Sequence, residues 1–186
     1  MKTIIIAFLA SLLLSSCAFH ESDPEAIEKA LSFEPVKNAA TIYILRDFQT
    51  SPPTTLRFAM IQEVDPDSRN KLNDAMDSLD GNSTKGAGIP YDHFFIEGES
   101  FIRLEMPPGK YSMYAYFMLA QSASEIYQSR NRVDFKPGDV YFFKINPRPE
   151  GAYSSTIYFL DDLPLDEAKR IIKEKDLQLL EFNPIY

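Results

Sequence analysis

From residue 40 onward the chain is written in short β-branched and aromatic runs, each stopped by Pro, Gly or a polar cluster. That rhythm suits strands and leaves no room for a helical bundle. Strands are predicted at 41–46, 56–61, 100–106, 111–119, 140–145, 155–160 and 177–182. The 111–119 run is apolar on both faces, which predicts a central, covered strand. Two breaks carry turn chemistry: Pro107-Pro108-Gly109 and Lys136-Pro137-Gly138-Asp139 both predict type II turns, the first closing a hairpin. Helical spacing is confined to three short stretches. One follows Asp23-Pro24-Glu25 (Ala26, Ile27, Ala30, Leu31), one spans 68–79 (Leu72, Ala75, Met76, Leu79), and one is opened by Pro164 (Leu165, Ala168, Ile171, Ile172). Because helices do not alternate with strands, a parallel α/β fold is excluded. The expectation is a mainly β chain: an antiparallel β-sandwich, Ig-like or transthyretin-like, with two or three short helices.

Fourteen Phe and ten Tyr among 186 residues supply the apolar surface such a sandwich needs, with mass for one core. The net charge of −8 opposes any polyanionic partner, so nucleic acid is excluded, and attraction to anionic headgroups is disfavoured as well. One cysteine makes no internal disulfide and, with two histidines far apart in sequence, no metal cluster. No metal or cofactor is expected.

That cysteine ends a patterned start. Met1 and Lys2 give a basic beginning, residues 4–14 an unbroken run of apolar and small side chains, and Ser15-Ser16 precede Cys17. Eleven residues are too few for a bilayer, which takes about 20, so the run reads as a signal-peptide core. The small Ser15 and Ser16 before Cys17 resemble the lipobox of bacterial lipoproteins. The resemblance implies cleavage between Ser16 and Cys17, a diacylglycerol thioether on Cys17, and acylation of its freed amine. Membrane lipid is then the first partner. Ala18 stands where an Asp would retain an enterobacterial lipoprotein at the inner membrane, which implies the outer membrane, facing the periplasm. Cleavage removes only one charge, Lys2, leaving 18 basic against 27 acidic side chains and a net charge of −9. The predicted organisation is a signal peptide at 1–16, the lipidated cysteine and a tether at 17–39, and a sandwich at 40–186 with an insertion at 65–90. Stretched out, the tether reaches about 75 Å.

The Ile42-Tyr43-Ile44-Leu45-Arg46 strand, the Phe101-Ile102-Arg103-Leu104-Glu105-Met106-Pro107-Pro108-Gly109-Lys110-Tyr111 segment, Lys136-Pro137-Gly138-Asp139-Val140-Tyr141-Phe142 and the Leu165-Asp166-Glu167-Ala168 helix start together cover most of residues 40–175. They resemble small bacterial lipoproteins carrying the domain of unknown function 2846. The resemblance implies a fold and an envelope location, and no activity. Residues 65–90 depart from it, replacing a compact Asp-Gly turn after the second strand.

No catalytic constellation stands out. His20 lies in the tether, and His93, within Tyr91-Asp92-His93-Phe94-Phe95, opens a strand; neither sits in a nucleophile motif. Gly81 and Gly86 have the spacing of a phosphate loop, but Ala87 replaces its lysine. Asp65-x-Asp67 begins like a calcium loop, yet Arg69 replaces the third ligand; Asp67 and Ser68 are better read as helix caps. Asp161-Asp162 read as caps for the helix after Pro164. Lys169, Arg170, Lys173 and Lys175, interleaved with acids, read as a solvated helix face. Tyr114, Tyr116 and Tyr158 are the candidates for a glycan-stacking platform. The expected role is a non-enzymatic binding module for an envelope protein or glycan. The alternatives are a hydrolase acting through carboxylates, with Asp92, His93 and Glu97 as its group, and a structural subunit of a secretion or surface apparatus.

Overall fold

The computed structural model describes residues 23–50, 56–62, 91–116, 131–149 and 156–180. The signal peptide, Cys17, the helix predicted at 68–79 and the 65–90 insertion lie outside the described residues. Among those described are a helix α1 (Pro24–Ser32), strands β1 (Ala40–Arg46), β2 (Leu56–Gln62), β3 (Tyr91–Ile96), β4 (Ser100–Met106), β5 (Gly109–Tyr116), β6 (Asn131–Phe135), β7 (Val140–Pro149) and β8 (Thr156–Asp162), a helix α2 (Leu165–Glu174) and a two-residue β9 (Gln178–Leu179).

The strands run in the order β3-β2-β5-β8-β7-β1-β4-β9, with β6 also on β5. Hydrogen bonding thus links all nine; among the described residues β5 and β8 meet at one pair, Ala115 with Tyr158. The sheet folds over on itself. One hydrophobic cluster draws Ile42 and Ile44 from β1, Ile102 and Leu104 from β4 and Phe143 from β7 together with Phe58 and Met60 from β2, Met113 from β5 and Phe135 from β6. Both halves therefore face one interior, and the mainly β sandwich is the observed fold.

Two features of the expected topology change. The sandwich is not antiparallel throughout: β1 runs parallel to β7 and β4 parallel to β9. β1 is buried along its whole length, and such two-faced strands suit parallel neighbours. The second change concerns Pro107-Pro108-Gly109, which does not close a hairpin. β4 pairs with β1 and β9, whereas β5 pairs with β2, β6 and β8, so the segment carries the chain from one layer to the other. Neither proline has an N–H to extend the β4 ladder. Tyr111 Oη donates to the Pro107 carbonyl at 3.1 Å, and Gly109 takes φ +149°. Lys136-Pro137-Gly138 does turn as expected: Gly138 has φ +79°, and Asp139 N donates to the Lys136 carbonyl at 3.4 Å.

A second cluster lies on the outer face of β4, β1 and β7, beneath both helices. Tyr43, Leu45, Phe101 and Phe142 meet Ala30 from α1 and Ala168, Ile171 and Ile172 from α2. Tyr43 stacks on Phe142 with centroids 4.8 Å apart. Its hydroxyl donates to the Ala30 carbonyl at 2.7 Å and accepts from Arg103 Nε at 3.2 Å. Arg103 and Lys29 both grip Glu105, at 2.6 and 2.8 Å. Lys29, then Arg103, hold the Glu105 carboxyl below its usual range. α1 starts as the sequence predicts, with the Asp23 side chain accepting from Glu25 N and Pro at the first position, and ends on Phe33 in the left-handed region. Much of the expected tether is therefore a helix docked on the sheet.

Candidate functional site: a cleft where the sheet divides

β5 changes partner along its length. Ala115 pairs with Tyr158 on β8, whereas Met113 back to Gly109 pair with Asn131 to Phe135 on β6. At the fork Asn131 Nδ2 donates to the Leu160 carbonyl at 2.9 Å, tying the start of β6 to β8. Beyond it β6 diverges from the β7–β8 pair. β8 ends opposite Phe143, so the first residues of β7 run past it, and Leu163 N turns in to the Phe142 carbonyl at 2.9 Å.

The result is a cleft of about 460 Å³, walled by residues 131–134 on one side, by 140–143 on the other, and by Asp162, Leu163 and Leu165. Its size is in the range that takes a ligand side chain or short segment. Three of the lining residues are aromatic, Tyr141, Phe142 and Phe143, and the buried Phe135 packs edge-on against Tyr141 at 4.9 Å and Phe143 at 6.4 Å. The rim mixes charges, with Arg132 and Asp134 from β6 and Asp162 from the end of β8, all exposed. Tyr141 Oη accepts from Lys136 N at 2.9 Å, and burial pushes its phenol above the ordinary value, so it stays neutral. Among the described residues no strand pairs with the outer edge of β6. The arrangement offers backbone donors and acceptors beside an aromatic lining, which is the chemistry of strand addition. No nucleophile–base pair is placed there.

Of the other residues singled out from sequence, few come together. Tyr114 is 0% exposed and Tyr158 8%. Tyr158 lies parallel to Phe48 at 6.3 Å, and burial raises its pKa. Neither ring offers a face to a sugar, so the platform expected from Tyr114 and Tyr158 is not built. The reason is ordinary: strand tyrosines bury their rings when layers close over them. The Tyr116 side chain lies outside the described residues, as do Ser16, Cys17, His20, Asp65, Asp67, Arg69, Gly81, Gly86 and Ala87. His93 and Asp92 sit in β3 opposite Ala59 and Met60 on β2, and Glu97 is exposed in the turn that follows.

Asp161 and Asp162 belong to β8 and do not cap α2, whose N-cap is Pro164 with no side-chain hydrogen bond. Asp161 instead takes Arg148 Nη2 at 2.8 Å and Asn146 Nδ2 at 2.7 Å, because a strand hairpin puts them side by side. Lys169, Arg170, Lys173 and Lys175 do form an exposed face.

Two features escaped the sequence reading. β6 alternates polar Arg132 and Asp134 with apolar Val133 and Phe135, but at five residues it is short enough to pass for a loop before the Lys136-Pro137-Gly138 turn. Arg46, the one charged side chain of β1, is 1% exposed. It donates to the carbonyls of Ile96 at 2.9 Å and Phe48 at 3.2 Å and lies over the Phe48 ring. The signal was present: Arg46 shares the face of Ile42 and Ile44, in a strand apolar on both sides.

Neither a family model nor a curated protein matches the chain. Solved structures do resemble it. One is the T6SS lipoprotein TssJ1 from Pseudomonas aeruginosa, at 13% identity over 70% of this chain and 98% of that one, TM-score 0.35. A second is a type VI membrane complex chain, at 14% identity over 69% and 99%, TM-score 0.44. A third is Serratia marcescens Lip, a membrane-bound component of the Type VI Secretion System, at 11% identity over 69% and 98%, TM-score 0.37. What those proteins assemble with is a property of theirs.

Proposed function

We propose that this chain is a lipid-anchored lipoprotein of the bacterial envelope that binds an extended segment of a partner protein along β6. The basic start, the eleven-residue apolar run and Ser15-Ser16-Cys17 support acylation of Cys17, and Ala18 supports the outer membrane, facing the periplasm. Two or three acyl chains at roughly 0.8 kcal/mol per buried methylene make release negligible. The observation that carries the binding role is the edge of β6, with which no strand pairs among the described residues, beside the cleft lined by Tyr141, Phe142 and Phe143. The role is non-enzymatic. Three carboxylates are tied to cations and so are poor general acids or bases: Asp47 to Lys144 and Lys175, Glu105 to Lys29 and Arg103, and Asp161 to Arg148.

In-cell photo-crosslinking separates the outcomes. A photoreactive side chain in place of Arg132, on β6, is expected to capture one protein repeatedly, and the same group in place of Lys173, on the exposed face of α2, is not. A partner caught only within one large detergent-stable complex would make the chain a subunit of a secretion or surface apparatus. Equal capture from both positions would remove the cleft as the binding surface. Labelled palmitate should enter the wild type and not a Cys17→Ser variant; failure of that labelling removes the anchor.

A further inference from the structure

α1 has two apolar stripes: one is pinned to the sheet, and on the other Ile27 is half-buried while Pro24 and Leu31 are exposed among the described residues. Ala30 is buried and Ala26 half-buried against the sheet. The Tyr43 hydroxyl, the Lys29–Glu105 pair and Phe33, whose ring meets Tyr43 at 5.3 Å and Phe142 at 6.0 Å, fix that side. One residue further round, about 100° on a helix, Pro24, Ile27 and Leu31 line a shallow groove with Glu28 and Ser32. Leu31 is 45% exposed and, with Leu165, is one of two exposed large hydrophobic side chains among the described residues. A helix pinned on one side cannot rotate to bury the other.

Position in the chain selects the occupant. Cys17 lies six residues before Asp23, a reach of at most about 20 Å when fully extended. We propose that the Pro24-Ile27-Leu31 face of α1 seats on the lipid surface beside the anchor and holds the domain in one orientation. This inference rests on anchoring through Cys17. The helix side then faces the bilayer, and the β3-β2-β5-β6 layer, with the edge of β6, faces away from it. Three apolar side chains would not hold a domain from bulk water, but a tether supplies the surface at high effective concentration. The lipid is zwitterionic. Glu25 and Glu28 flank the stripe, Lys29 is already paired with Glu105, and the net charge is negative, so an anionic surface repels this face.

The chain contains no tryptophan, so single Leu31→Trp and Lys110→Trp variants each carry one unambiguous reporter. Chains beginning at residue 17 are coupled through their one thiol to a maleimide lipid in phosphatidylcholine vesicles, which anchors them whether or not cells acylate Cys17. Leu31→Trp emission is expected to shift to the blue and to be quenched at least twofold by brominated phosphatidylcholine. Lys110→Trp should do neither. Adding Ile27→Glu to Leu31→Trp, or replacing a third of the lipid by phosphatidylglycerol, should weaken the quenching. An unquenched, red-emitting Leu31→Trp on anchored chain overturns the inference. A blue shift without lipid quenching overturns it too, since protein would then cover the groove: residues of this chain before Asp23, or a second copy. Failed palmitate labelling in cells with quenching intact would sink the lipoprotein reading and leave the lipid-facing stripe standing.

Discussion

Asp47 follows the buried Arg46 and sits between two lysines, Lys144 Nζ at 2.9 Å and Lys175 Nζ at 3.2 Å, while its own carbonyl accepts from Lys175 at 2.9 Å. One carboxylate thus joins the end of β1 to β7 and to the end of α2. Burial pulls its pKa up, but the hydrogen bonds and charges of Lys144 and Lys175 together outweigh that and leave it below the ordinary value. Glu105 is depressed as well. A depressed carboxyl binds fewer protons folded than unfolded, so its stabilisation is complete above the unfolded pKa, near 4, and is lost as pH falls through the folded one. The urea midpoint should therefore hold from pH 7 to 5 and drop below about 4. Asp47→Asn should cost about 1 kcal/mol at pH 7 and flatten part of the acid limb, read by denaturant unfolding at several pH values. A midpoint at pH 7 equal to wild type would mean that the triad contributes nothing. Arg46 stays a different case: desolvation lowers its pKa, and backbone carbonyls and the Phe48 ring stand around it.

At the scale of elements, turns obey local rules where pairing does not. Gly138 has φ +79°, and a Cβ there would meet nothing nearer than the Lys37 carbonyl at 3.8 Å. Gly138→Ala should therefore destabilise by about 1 kcal/mol from backbone conformation alone, without a packing defect. Thermal unfolding of that variant checks it, and a loss several times larger would mean the turn supports more than itself. The same locality explains what the sequence discloses. Lys136-Pro137-Gly138 and Asp23-Pro24-Glu25 specify their own conformation within a few residues, and both form as read. Strands β1, β2, β4, β5, β7 and β8 are legible from composition, and both-face burial marks β5 as central. Pairing is not legible. Nothing within residues 101–111 states that β4 joins β1 and β9 while β5 joins β2, β6 and β8, because that choice is made by partners far along the chain. The cleft inherits the same obscurity: it exists only where β6 and β8 share one edge of β5.

Over the whole molecule, the two hydrophobic clusters meet across β4, β1 and β7, and most fully on the middle strand of the three, β1. Ile42 and Ile44 of β1 face the sandwich interior, and Tyr43 and Leu45 face the helices. Every residue of β1 is buried, and it is hydrogen-bonded to β4 on one edge and β7 on the other. The helix layer and the sandwich interior therefore cannot come apart independently: undocking α2 exposes the outer face of the strand on which the inner core is built. Apolar contact also ties the layers directly, since side chains from β1, β4 and β7 and from β2, β5 and β6 share one cluster. Ile172 tests the coupling because it lies in the helix-side cluster, away from the sandwich interior. Ile172→Ala removes buried methylenes and should cost about 2–4 kcal/mol. The expected outcome is one unfolding transition at a lower midpoint, coincident when followed by far-ultraviolet dichroism for backbone and near-ultraviolet dichroism for the tyrosines. A helical signal lost well before the tyrosine signal would show that α2 is an add-on and that β1 does not weld the layers.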